Sequence, residues 1–200
     1  EIILENGFLG TSIVPSGAST GRHEAHELRD NNKDYLNKSV FDAVNNINNK
    51  ISKTLINKNS KDQSEVDKIL INLDGTENKS NIGANAILAV SIANLKAAAK
   101  FDNKEIYRFI NNKTNPAFCM PYPLMNIING GAHANNSLEI QEFMIRPDGA
   151  KNFKECMQMS FLVIQNLKKN LEDKNISTSV GDEGGFAPSL ASDEEAIEII

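Results

Sequence analysis

Residues 83–101 read GANAILAVSIANLKAAAKF, a run in which small and aliphatic side chains fall on nearly every face of a helix. A helix with no wet side has to be packed all round. Whatever else the first half of this chain makes must therefore be built around this element. Asn85, Ser91, Asn94 and Lys96 interrupt the run, so it falls short of the roughly 18 apolar residues of a membrane span. It reads as a buried core helix.

The elements around it follow from local pattern. Ile2–Leu4 and Phe8–Val14 flank Asn6-Gly7, a dipeptide suited to the tight turn of an antiparallel hairpin. Residues 24–30 read as a short polar helical stretch or turn. Val40, Val44, Ile47 and Ile51 stand at helical spacing. Gln63–Ile71 is a second helix stopped by Asp74-Gly75, and Ile106–Ile110 a short last one. The pattern changes after the polar, proline-ended stretch 111–116, where the domain boundary is placed. Pro123–Ile128, Glu139–Ile145 and Ser177–Val180 are strand-like. Phe153–Leu171 is a helix with Phe153, Met157, Phe161, Ile164 and Leu171 on one stripe, and Asp193–Ile200 starts another. Strand, helix, strand, helix is the opening of an α/β layer or barrel.

Composition narrows the function. A net charge of −5 argues against nonspecific nucleic-acid binding, which needs a basic surface. Two cysteines, Cys119 and Cys156, make no disulfide framework and lack metal-ligand spacing, which points to a reducing cytoplasm. The chain opens in strand-like sequence without an initiator Met and stops inside a helical pattern. It is read as a piece of a longer protein.

Four segments carry candidate chemistry. VGDEGGFAP (180–188) delivers Glu183 into a glycine turn just past a strand end, a place suited to proton transfer or metal binding. VPSGASTG (14–21) offers hydroxyls and backbone N–H groups to an anion or a hard metal ion. It lacks the Gly-Lys-Ser/Thr ending of a Walker A loop. NGGAH (129–133) sets His133 in a glycine loop directly after a strand, and QEFMIRP (141–147) puts Gln141 and Glu142 side by side on another. Alternation along a strand sends one of that pair inward unless a bulge intervenes, and a carboxylate placed there needs a partner. Each segment taken singly is ambiguous, since Ser/Gly loops are commonly just loops and a lone His is commonly structural. Together they fit a metal-assisted acid/base site on the end of a barrel.

VPSGASTG, EAHELRD (24–30), GANAILAVSIANLKAAA (83–99), PLMNIINGGAH (123–133), QEFMIRP and GDEGGFAP (181–188) resemble the enolases, collinearly and over nearly the whole chain. The bacterial type is the most similar. The resemblance implies an α+β N-terminal cap domain at 1–115, lacking its first strand, and the truncated start of an eight-fold α/β barrel at 116–200. It implies reversible dehydration of 2-phosphoglycerate to phosphoenolpyruvate in glycolysis with two Mg²⁺, in a cytoplasmic protein that forms dimers or larger rings. No nucleic-acid or membrane partner is implied, and a surface or secreted pool is not encoded.

By motif position, Glu183 is the general acid, with Glu142 beside it. His133 lies on a loop that closes over the phosphate side. Gln141 and the Ala18 backbone contact substrate, and Ser19 ligates the second Mg²⁺. His23, His26 and Asp182 are left as structural or surface residues. Asn37, Ser39 and Asn135-Asn136 depart from the family pattern at positions that carry no catalytic group. In the family the catalytic lysine and the carboxylates of the first metal lie beyond the position of Ile200, so this piece on its own is expected to be inactive. Two other readings compete. One is a metal-dependent acid-sugar dehydratase on the same architecture, and the other is a non-catalytic scaffold or adhesion role.

Overall fold

The computed structural model describes residues 1–17, 21–111, 118–181 and 183–200. The chain divides into two compact units, Glu1–Asn115 and Pro116–Ile200.

In the first unit β1 (Ile2–Ile3) and β2 (Leu9–Gly10) pair antiparallel around the Asn6-Gly7 turn, with Ile2 opposite Gly10 and Ile3 opposite Leu9. The second strand is shorter than the pattern implied. Past Gly10 the chain leaves its partner to follow the central helix, where the Ser12 hydroxyl donates to the Ala89 carbonyl at 2.6 Å. That helix is α4 (Ala84–Phe101). A methyl group on Gly10 would overlap the Ala93 carbonyl. Gly10 and the fully buried Ala93 and Ala97 thus let hairpin and helix meet backbone to backbone.

A helical stretch runs as α1 (Phe41–Asn46), a π turn (Ile47–Ile51) and α2 (Ser52–Leu55). Its buried residues are Ala43, Asn46 and Ile51, while Val44 faces solvent. Of the expected 40/44/47/51 stripe, Val40, Ile47 and Ile51 pack into the core, whereas Val44 is exposed and Ala43 is buried beside it. Val40, at the N-cap of α1, has no side chain able to cap. The Asp30 carboxylate does the work instead, accepting the N–H groups of Phe41 at 2.6 Å and Asp42 at 2.9 Å. Residues 24–30 form no helix. The Asn85 amide takes the Leu28 N–H at 3.2 Å and donates to the Leu28 carbonyl at 3.1 Å, holding this segment as a strand neighbour would.

The helix α3 (Gln63–Asp74) begins at Asp62, whose carboxylate accepts the Glu65 N–H, and stops at Gly75. It packs Val66 and Leu70 against Ala86 and Val90 of α4, and α5 (Ile106–Ile110) follows. Helix α4 touches the hairpin, α1, α3 and α5, the central place its composition demanded. It is long enough to be tested as a span, yet no helix among the described residues is long and apolar enough to cross a membrane.

In the second unit β3 (Met125–Asn129) pairs antiparallel with β4 (Glu142–Ile145). The register slips between Asn126 and Ile128, leaving Ile127 as the extra residue of a bulge. Because of that bulge, Ile127 and Ile128 are both buried where simple alternation would expose one of them. On its other side β3 meets Phe186 in a parallel bridge, and Phe186 bridges Val180. The expected strand at Ser177–Val180 is reduced to this single bridge.

Helix α6 (Phe153–Asp173), capped by the Asn152 side chain, covers the sheet, and α7 (Asp193–Ile199), capped by Ser192, closes the unit. The expected stripe on α6 holds at Ile164 and Leu171, which pack into the core, and fails in its first half. Phe153, Met157 and Phe161 point outward, and Cys156, Ser160, Leu167 and Leu171 are buried. Small side chains at 156 and 160 let the helix approach more closely than bulky ones at 157 and 161 would allow.

Candidate active site

Three side chains from three separate segments of the second unit converge: His133, Glu142 and Glu183, with ligand atoms all within 4.8 Å of one another. His133 ends the 3₁₀ turn Gly131–His133 that follows β3. The loop is folded back by N–H bonds from Gly130 to the Gln141 carbonyl at 3.0 Å and from Gly131 to the Leu138 carbonyl at 2.8 Å. That return buries the imidazole, which is 3% exposed.

Glu142 is the first residue of β4, opposite Asn129 in the register. It is half-buried, less enclosed than the strand argument required. Gln141 lies one residue before the strand begins, so alternation does not separate the two. Both reach the same imidazole from opposite edges. The Gln141 Nε2 stands 2.7 Å from His133 Nε2, and Glu142 Oε1 stands 3.7 Å from His133 Nδ1.

Glu183 comes from the turn after Val180. The Gly181 N–H donates to the Gly185 carbonyl at 2.8 Å and the Gly184 N–H to the Gly181 carbonyl at 3.2 Å, with Gly184 at φ 88°. That left-handed angle is what closes so short a turn. Glu183 Oε2 is 3.4 Å from His133 Nδ1, and its side chain is more open to solvent than that of Glu142.

The Gln141 amide meets the ring at Nε2, and Nδ1 is the nitrogen facing both carboxyl groups. A hydrogen bond with the Glu183 carboxyl, burial and repulsion from the Glu183 charge push Glu142 above its ordinary value, while His133 pulls it the other way. Two carboxyl groups this close disfavour each other's ionised form. The site thus sets two carboxyl groups beside a buried imidazole.

The same trio is a poor cradle for Mg²⁺. That ion takes hard oxygen ligands in a strict octahedron and keeps much of its water. Here one donor is a buried imidazole nitrogen, and the carboxyl of Glu142 is pushed above its ordinary value by its neighbour. The structure brings together His133, Gln141, Glu142 and Glu183. Ala18, Ser19 and Asp182 lie outside the described residues, and His23 and His26 are exposed. Sequence reasoning missed Asn129 and Asn136, buried and half-buried amides that bind the site loops together. The NGGAH segment drew attention to His133 alone, and Asn135-Asn136 stood out only as a departure from the family pattern.

The chain matches the family model for the enolase N-terminal domain over residues 1–110 and that for the enolase C-terminal TIM barrel domain over residues 117–200. A protein named enolase from Pelagibacter ubique (strain HTCC1062) is 60% identical to it over 191 residues. That match covers 95% of this chain and 45% of the relative, so the chain spans about 45% of the length of the curated relative.

Proposed function

The chain belongs to the enolase family, with an N-terminal cap domain of antiparallel strands and helices followed by the start of the TIM barrel domain. From that premise we propose that the protein containing it catalyses the reversible dehydration of 2-phosphoglycerate to phosphoenolpyruvate. We read residues 1–115 as the cap and 116–200 as the beginning of the catalytic barrel.

The observation that carries the reading is the Glu142–Glu183 pair above a buried imidazole. Loss of a β-hydroxyl from a carbanion needs a proton delivered to the leaving oxygen. Glu183, the more exposed member, hands its proton to the departing C3 hydroxyl, which leaves as water. Glu142 shares a hydrogen bond with Glu183, which pushes the Glu142 carboxyl above its ordinary value. In the reverse direction the pair takes a proton from the water that adds. His133, steadied by Gln141, faces both carboxyl groups with Nδ1. Gln141 and the Ala18 backbone are read as substrate contacts.

The family resemblance also implies two Mg²⁺, and we read the Ser19 hydroxyl and carbonyl as ligands of the second. When bound, Mg²⁺ supplies positive charge for the enolate oxygens. We further place the protein in the cytoplasm as a homodimer or larger ring, consistent with two free cysteines and no disulfide among the described residues.

The test is Glu183→Gln in the full-length protein, assayed with 2-phosphoglycerate and Mg²⁺. General acid catalysis contributes about 10²–10⁴-fold, and a loss of that size is expected. Turnover within about twofold of the parent would remove Glu183 from the reaction and the reading with it.

A further inference from the structure

His133 and Glu183 sit on two separate loops, and the joins between those loops run through side chains. Asn136 makes the most complete one. Its two amide N–H groups donate to the Asn129 carbonyl at 2.9 Å and the Pro188 carbonyl at 3.0 Å, and its Oδ1 accepts the Leu138 N–H at 3.3 Å. One side chain thus ties the end of β3, the return of the His133 loop and the exit of the Glu183 turn.

Asn129, fully buried, completes the connection. Its Nδ2 donates to the Gly185 carbonyl at 3.0 Å, its Oδ1 accepts from Asn126, and its backbone N–H donates to the Phe186 carbonyl at 2.8 Å. The Glu183 turn rests directly on this amide. A methyl group on Gly181 would overlap Asn129 Nδ2, and one on Gly185 would come within 2.9 Å of the Ile127 carbonyl carbon. Asn129 also stands opposite Glu142 in the β3–β4 register. The same short stretch of backbone therefore references Glu142 through the ladder, Glu183 through Asn129, and His133 through Asn136.

We propose that Asn129 and Asn136 form a two-amide clamp that positions Glu183 against Glu142 and His133 for turnover. Both are positioning residues, acting through the carboxyl groups without touching substrate. The clamp rests on the acid/base reading above. Groups set on two loops drift unless the loops are tied, and a displacement of about 1 Å costs on the order of 10²-fold in rate.

The experiment compares Asn136→Ala and Asn136→Asp with Glu183→Gln in the full-length protein. The first removes the amide, and the second keeps its shape but lacks both N–H donors. Asn46→Ala, a buried amide of the first unit that donates to the Ile82 carbonyl at 3.0 Å, serves as the control for lost stability. The clamp requires kcat to fall about tenfold or more in both Asn136 variants, with KM within about threefold of the parent. Asn46→Ala lowers Tm and leaves kcat in place. Any other pattern overturns the clamp, whether Tm falls with kcat kept, KM rises alone, or neither Asn136 variant gives soluble protein. The last outcome would show a purely structural role. Glu183→Gln separates the two readings. If it is inactive while the Asn136 variants turn over normally, only the clamp fails. If it is active, the acid/base reading fails first.

Discussion

The two units use their carboxylates in opposite ways. In the first, Asp74 is 2% exposed and is surrounded by donors. Its oxygens accept the N–H groups of Thr76 at 2.9 Å, Asn81 at 3.0 Å and Ile82 at 2.7 Å, and the Thr76 hydroxyl as well. Burial pushes this carboxyl up, but those donors outweigh it and hold it below its ordinary value. Asp30 is held low in the same way by the N–H groups that open α1 and by Ser39, again against burial. In the second unit Glu142 faces another carboxyl and is pushed the other way. A carboxylate ringed by N–H donors fastens backbone and binds its proton more weakly, whereas one set against its own kind binds its proton more tightly. Burial is similar in kind; the partners decide which result follows.

That contrast can be broken by experiment. The largest effect is the loss of about 10²–10⁴-fold in kcat for Glu183→Gln, with little change in Tm because the side chain is exposed and fastens no backbone. The clamp variants come next, with their loss of about tenfold or more in kcat.

Asp74→Ala should behave in reverse. It strands the Asn81 and Ile82 N–H groups, at about 1–3 kcal/mol for each buried donor left unpaired. Chemical denaturation should record that loss while kcat per folded molecule stays unchanged. An Asp74 variant with full stability would remove the structural half of the comparison.

The pH dependence should differ in sign. Asp74 and Asp30 have depressed folded-state values. Their contribution is present above the unfolded-state value and is lost as pH falls through the folded one. Glu142 has a raised value, so its contribution is present below the unfolded-state value and is lost as pH rises through the folded one. Tm measured against pH should therefore show the acid-side drop flattened in Asp74→Asn. Glu142→Gln should flatten the decline on the other side. Parallel Tm–pH curves for parent and variants would count against the assignment.

The smallest effect expected is at a helix start: Asn152→Ala, which removes the cap of α6, should cost about 1 kcal/mol and leave activity alone.

Much of this was legible in the residues, for identifiable reasons. The run at 83–101 announced a central helix because no face of it could meet water, and α4 is packed from several sides. Asp74-Gly75 marked the end of α3 through local chemistry that needs no tertiary partner. GDEGGFAP pointed to Glu183 because an acid in a glycine turn is exposed to whatever docks there.

What stayed hidden depended on contacts distant in sequence. The packing of the 41–55 helix buried Ala43 and left Val44 outside. The fit of α6 against its sheet favoured Cys156 and Ser160 over larger neighbours. Alternation between Gln141 and Glu142 proved irrelevant once the strand began at Glu142.

By itself, then, the sequence determined which segments are helical, where they stop, and which few side chains can carry acid/base chemistry. Those properties live in composition, period and caps, within a few residues of one another. Only the tertiary structure brought Glu142 and Glu183 together beside His133, with Asn129 and Asn136 bonded across the loops that carry them. Residues 41 positions apart in the chain, as 142 and 183 are, acquire a mutual distance only when the β3 bulge, the two glycine turns and the amides between them are all in place. A proton's affinity for a carboxyl group is set by that distance and by the donors around it, and neither is a property of the linear chain.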